Sequence, residues 1–219
     1  MASFNINDAP RELEMTDFMS VSNDLGGLVK ACRYAVLISQ PRVALQTGNF
    51  GTSTGNGVLR DLTYLCEATE FPGRGFNTID LRYYGPNFKV PAQTVYEDLN
   101  MTFICRAESY ERQLFDDWME AINPSQSFDF KYKDDYSTTI TLYQYTEVAS
   151  DQEQTVPKAT YAFTLYEAFP VLVNAQPVTW ADDGFQKLTV TFTYTKWRRK
   201  GYDPEPRQYS LVQGASVTR

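Results

Sequence analysis

Between Lys187 and Trp197 the sequence KLTVTFTYTKW alternates almost without exception. Successive side chains of an extended strand point to opposite faces of a sheet. Leu188, Val190, Phe192 and Tyr194 therefore share one side, and Lys187, Thr189, Thr191, Thr193 and Thr195 share the other. The apolar row is the core face of a strand. The same pattern returns upstream, where Leu99, Met101 and Phe103 lie opposite Asp98, Asn100 and Thr102. Both strands thus present a hydrophilic second surface, uncharged at its centre in the threonine strand, which begins on Lys187, and ending on one carboxylate, Asp98, in the other.

The rest of the chain agrees with a β-rich domain. Its 219 residues suit one domain with appended arms, and 15% aromatics together with frequent threonine favour strands. Sequence features predict strands near 33–39, in LTYLCEATEFPG and NTIDLRYYG, over TVYEDLNMTFICRA, and in TTITLYQYTE, ATYAFTLYEAFPVLVN and the last alternating segment. GPNFKVP reads as a turn between two of them, and LQTGNFGTSTGNGVLRD as a long loop. One helix is expected, SYERQLFDDWMEAIN, in which Leu114, Phe115, Trp118, Met119 and Ile122 form an apolar stripe. Ser109 stands where an N-cap belongs and Asn123-Pro124 ends the run. The expected architecture is mainly β, an antiparallel two-sheet sandwich or barrel of about seven strands with one packed helix. Residues 1–30 read as an N-terminal arm, 31–197 as the β domain and 198–219 as a C-terminal tail.

Several function classes drop out. The chain has no histidine, which removes Ser-His-Asp and Cys-His nucleophile activation and the HExxH zinc site. No catalytic, cofactor-binding or metal-ligating set is expected. The Gly-rich loop lacks the order of a phosphate loop and contains no lysine. No stretch approaches the roughly 20 apolar residues that span a bilayer, and the N-terminal segment does not resemble a signal peptide. Cys32, Cys66 and Cys105 are odd in number, without metal-like spacing, and read as buried free thiols. A net charge of −7 argues against a nucleic-acid binder, since such affinity comes largely from Lys and Arg displacing counterions.

LRYYGPNFKVPAQTVYEDLNMTF, followed directly by the helix, resembles the tail tube proteins of contractile-tailed bacteriophages. The resemblance rests on Tyr84-Gly85, Lys89-Val90, Tyr96-Glu97-Asp98 and the helix face Phe115, Trp118, Met119, Ile122 and Asn123. The closing FPVLVNAQPVTWADDGFQKLTVTFTYTKW is similar to the last hairpin of that family, so the likeness spans residues 60–197. Pro91, Ala92 and Gln93 depart from it where relatives often carry Gly and Arg.

The resemblance implies a virion protein, assembled in the host cytoplasm, whose subunits form hexameric rings that stack into a hollow tube. One sheet of each subunit would join its neighbours in a ring-wide inner barrel. Its expected partners are further copies of itself, the tail sheath, a baseplate hub or tube initiator and the tape-measure protein, with duplex DNA passing through unbound and no membrane. Asp98, Asn100, Thr102, Thr189, Thr191 and Thr193 are the candidates to line the lumen. Duplex DNA carries about one charge per 1.7 Å of axis, so a basic wall would hold it, whereas short, neutral, hydrated side chains would not. Thr47, Gly48, Asn49, Phe50 and Gly51 of the Gly-rich loop, with Lys196, Arg198, Arg199 and Lys200, are candidates for contacts between rings or subunits. Asp116, Asp117 and Glu120 on the helix are candidates to face the sheath. Alternative readings are a baseplate ring that initiates the tube and, from another class, a monomeric β-sandwich that binds glycans or peptides. The threonine rows would then be simply the solvent side of a sheet.

Overall fold

The computed structural model describes residues 28–42, 55–82, 84–145, 159–181 and 183–200. Among these run nine strands: β1 (Tyr34–Ile38), β2 (Cys66–Thr69), β3 (Gly75–Leu81), β4 (Phe88–Val95), β5 (Leu99–Ile104), β6 (Thr138–Tyr145), β7 (Ala159–Val173), β8 (Lys187–Thr193) and β9 (Lys196–Arg199). Three helices accompany them, α1 (Gly55–Leu65), α2 (Tyr110–Ile122) and the single turn α3 (Lys133–Tyr136). All strand pairings are antiparallel.

The long strand β7 organises the fold. Its first part pairs with β6 on one side and β9 on the other, and its last part, from Phe169, pairs with β8. Two layers result, β1-β6-β7-β9 and β7-β8-β5-β2, with β7 running through both. The chain turns the corner at Glu167, whose φ of 55° lies in the left-handed region that non-glycine residues rarely occupy. Opposite it, β8 passes into β9 through Tyr194 and Thr195, and the Thr195 amide donates to the Tyr166 carbonyl. Strands that bend from one sheet into the next are how such corners are built.

The Glu167 carboxylate clamps this corner, accepting from Lys133 Nζ at 2.6 Å and Thr195 Oγ1 at 2.7 Å. Lys133 and Thr195 hold its pKa below the usual carboxylate value of 4.5. A lowered folded pKa means the clamp is at full strength above the unfolded value and is lost as pH falls through the lower folded one. Glu167→Gln should therefore lower Tm at neutral pH. Its difference from the unaltered chain should shrink on acidification below the ordinary carboxylate range, and a difference independent of pH would count against the clamp.

Leu99, Met101 and Phe103 of β5 and Leu188, Val190 and Phe192 of β8 are buried, together with Val36, Ile140, Leu142 and Leu165 of the other layer. Helix α2 closes the core. Phe115 packs on Phe103 and Phe192, and the Trp118 ring lies parallel to that of Phe115 and edge-on to Phe192. Trp118 Nε1 donates to the Tyr136 carbonyl at 2.9 Å, fastening α3 to α2.

Several local expectations need correction. The segment expected as the end of a loop and the start of a strand is helical from Gly55 to Leu65, because Leu59 and Leu62, one turn apart, are buried against the core. Residues 88–90, read as part of a turn, already belong to β4, and the long strand expected over 94–107 is interrupted between Val95 and Leu99. Ser109 occupies the N-cap position with φ 51° and no side-chain cap bond. Cys32 is exposed, and Cys66 and Cys105 are only partly buried, with burial pushing the Cys66 thiol up to about 11.

Glu111, one residue into α2, is fully buried. Its carboxylate accepts from the Arg106 backbone amide at 3.1 Å and from Arg106 Nε at 2.5 Å, while the same guanidinium reaches Asp61 of α1 at 2.8 Å. Glu111→Ala orphans a partly buried amide and unties the two helices, and should cost about 1–3 kcal/mol in a denaturant titration.

Candidate functional site

The two polar rows recognised in the sequence become one surface through strand register. In the β5–β8 ladder Asn100 stands opposite Thr191, and Thr102 opposite Thr189. Directly opposed residues of an antiparallel pair project to the same face. Thr191 Oγ1 donates to Asn100 Oδ1 at 2.8 Å, and the hydroxyls of Thr102 and Thr189 share a hydrogen bond of 3.2 Å. Four of the six lumen candidates therefore stand on the face away from the core as two hydrogen-bonded, uncharged pairs on adjacent rungs of the ladder.

The remaining two stand apart. Thr193 is paired with Phe169 of β7 rather than with β5. Asp98 lies ahead of β5 and outside the ladder. There it contributes with Glu97 to raising the Tyr194 phenol to about 12, although burial of the phenol is the larger cause. The face also holds residues that the alternation did not announce. Ala68 of β2 stands opposite Thr102, and Leu172 of β7, half exposed, stands opposite Thr191. A bulge between Pro170 and Leu172 brings Leu172 to this side, a register shift invisible without the partner strand. Lys187, at the end of the row, is charge-paired with Glu67 at 2.5 Å.

Helix α2 lies on the opposite side of the β5–β8 layer, because its apolar stripe packs on the buried face. Asp116 is exposed and bonded to Arg112 at 2.9 Å. Glu120 is exposed and accepts from the Ser125 hydroxyl and amide, both at 2.7 Å, which hold its pKa low. Asp117 is half-buried.

The basic run is part of a strand. Lys196 Nζ sits over the Tyr166 ring, Arg199 over Tyr161 and Lys200 over Tyr143, at 5.4 to 5.7 Å. Arg198 is exposed on β9. Lys196, Arg199 and Lys200 thus rest on tyrosines of their own subunit. The candidates Thr47, Gly48, Asn49, Phe50 and Gly51 lie outside the described residues. Among the described residues no group of three or more Cys, Asp or Glu side chains could hold a metal ion, and no helix is long and apolar enough to cross a membrane.

The described residues thus form a bent two-layer antiparallel sheet with helices α1 and α2 packed on its core side and one polar sheet face turned away from the core. The chain belongs to the phage tail tube protein family, whose model matches residues 29–200. No curated protein matches it in sequence. Among solved structures it is similar to a chain of the sheath-tube complex of an extracellular contractile injection system, PVC, in the extended state. That likeness has TM-score 0.53 and 13% identity, and covers 86% of this chain and 99% of that one. It is also similar to a chain of the sheath/tube terminator of the same system, with TM-score 0.52, 12% identity, and 79% and 96% covered. The tube-terminating cap of the anti-feeding prophage gives TM-score 0.54 and 12% identity, with 79% and 91% covered. At such identities these likenesses speak for the fold alone.

Proposed function

We propose that this chain is the structural, non-catalytic subunit of a contractile phage tail tube. Six copies form a ring, rings stack, and the β5–β8 face lines a bore through which DNA passes during ejection. The observation that carries this reading is the two hydrogen-bonded pairs Asn100–Thr191 and Thr102–Thr189, a neutral hydrophilic strand surface on an acidic protein. A second feature supports it. The layer β7-β8-β5-β2 ends in two outer edges, that of β2 and that of β7 beyond Phe169, and among the described residues neither is paired with a further strand. Edges open on both sides of one layer can join copy to copy until a ring closes, which also removes the hazard of exposed edges. The bore would then meet the threonines, and α2 would face outward.

Negative-stain microscopy of the purified chain tests this. Rings of about 6 copies, alone or stacked, are the expected result for a closed cyclic assembly, and monomers across a wide concentration range would overturn it. Rings that never stack would move the chain to the end of a tube, as an initiating or terminating ring. With α2 outward, reversing charge at Asp116 and Glu120 should weaken co-assembly with sheath protein while leaving rings intact. Unchanged sheath binding would release the helix from that role.

A further inference from the structure

The layer β1-β6-β7-β9 also turns a face away from the core, and that face is basic. Register sets Ala35 in a row with Tyr143 and Ala162, and Leu37 in a row with Thr141 and Thr164. Strand β9 extends these rows. Arg198 stands opposite Thr164, Lys196 opposite Tyr166, and the Lys200 amide bonds to the Ala162 carbonyl. Directly opposed residues share a face, and the alternate row of Val36, Leu142 and Phe163 is the one that points into the core. Lys196, Arg198 and Lys200 therefore form a stripe on the outer face, all three exposed, with no carboxylate on the rows they end.

The surrounding charges do not cancel this stripe. At the Lys196 end Arg42 and Lys133 balance Asp134 and Glu167. At the Lys200 end Lys30 and Arg33 stand in the turn that enters β1. The segment 70–74, with Glu70 and Arg74 and with Glu97 beside Gly73, runs on the opposite side of the layer. There Phe71 packs on Phe163 and Trp197 Nε1 donates to the Gly73 carbonyl.

A matching acidic segment lies in the same chain. Residues 1–27, outside the described residues, carry Asp8, Glu12, Glu14, Asp17 and Asp24 against the single Arg11. The other stretches bordering this layer are less acidic: 146–158 has three acidic side chains against Lys158, and 201–219 has two against two arginines. The arm joins the layer through β1, which starts at the end where Lys200 stands, because Ala35 and Lys200 belong to one row. From β1 to β9 is three strand spacings, about 14 Å, and an arm of this length spans several times that. Within the arm Glu12 and Glu14 alternate with Leu13 and Met15. An extended run sets both carboxylates on one side about 6.6 Å apart, the same two-residue repeat that separates Arg198 from Lys200. Among the described residues β9 pairs only with β7, which leaves its second edge open to such a run.

We infer that residues 11–17 lie along β9 of their own subunit, with Glu12 and Glu14 against Arg198 and Lys200. Exposed ion pairs are individually weak, but tethering holds the arm at a high effective concentration beside this face. The arm is then a built-in counter-charge that keeps the one basic β-face described in an acidic protein away from phosphate backbones. The contact is made within one chain and does not depend on ring assembly.

Photo-crosslinking of the full-length chain tests it, with a benzophenone residue in place of Leu13 and a mixture of isotopically light and heavy chains. Crosslinks should fall within one chain, on β9 or the adjoining residues of β7. Crosslinks to 146–158, or mainly between light and heavy chains, would overturn the assignment. Glu12→Gln with Glu14→Gln should reduce the β9 crosslink and raise affinity for a short DNA duplex about tenfold at low salt, a gain that fades as salt rises. Adding Arg198→Gln and Lys200→Gln should abolish the gain with Tm nearly unaltered, since both side chains are exposed on the outer face. Unchanged DNA binding by the glutamine arm, or a gain that survives loss of the two cations, would equally overturn it.

Discussion

Trp118→Ala should destabilise the domain by about 3–5 kcal/mol, a large share of the roughly 5–15 kcal/mol that holds a domain of this kind together. The indole is fully buried and bridges α2 to β8 through Phe115 and Phe192. Its loss leaves a cavity under the β5–β8 layer, where no other large side chain can follow without moving the helix. It also strands the Tyr136 carbonyl, which accepts the indole N–H. Trp118→Phe separates the two effects, since it keeps most of the volume and removes only the donor, and should cost about 1–2 kcal/mol. Urea unfolding of the three chains measures both. A cost below about 1 kcal/mol for the alanine variant would mean that the layer collapses onto the gap, and that the helix does not set the position of the polar face.

The second large effect is on function rather than stability. Thr189→Arg combined with Thr191→Arg places two guanidinium groups per subunit on the β5–β8 face, at positions whose present partners are Thr102 and Asn100. The fold should tolerate this, because both side chains lie on the face away from the core. Assembled tubes should then retain duplex DNA at low salt and release it as salt rises, with a slope of about −0.9 in log K for each phosphate engaged. The paired control Thr189→Ser with Thr191→Ser should leave DNA unretained at the same salt, as the proposed function expects of the unaltered chain. If arginine tubes assemble but hold no DNA, the face is not on the bore, and the threonines are only the solvent side of a sheet.

The alternation of two strands was enough to place Leu99, Met101, Phe103, Leu188, Val190 and Phe192 in the core, and each is buried. The stripe Leu114, Phe115, Trp118 and Ile122 likewise foretold the helix and its inward face. The same alternation at Ile79 and Leu81 does not mark a core face. They alternate with polar neighbours as core residues do, yet lie about half exposed on a hairpin that, among the described residues, pairs with no other strand. Leu59 and Leu62 carried a helical spacing, but the glycines before them masked it until contact with the core settled the conformation. Asp98 shows the limit from the other side, since its place in the alternating row holds only while the strand lasts, and the strand begins one residue later.

The sequence by itself determined which side chains travel together, because a period of two or of 3.6 is a property of the local backbone. What those faces meet was decided only by tertiary structure. The register that sets Asn100 against Thr191, the bulge that turns Leu172 among them, the corner at Glu167 and the tyrosines under the basic run all depend on strands distant in the chain. Pairing between such strands is a matter of contact rather than of periodicity, and no local window of sequence contains it.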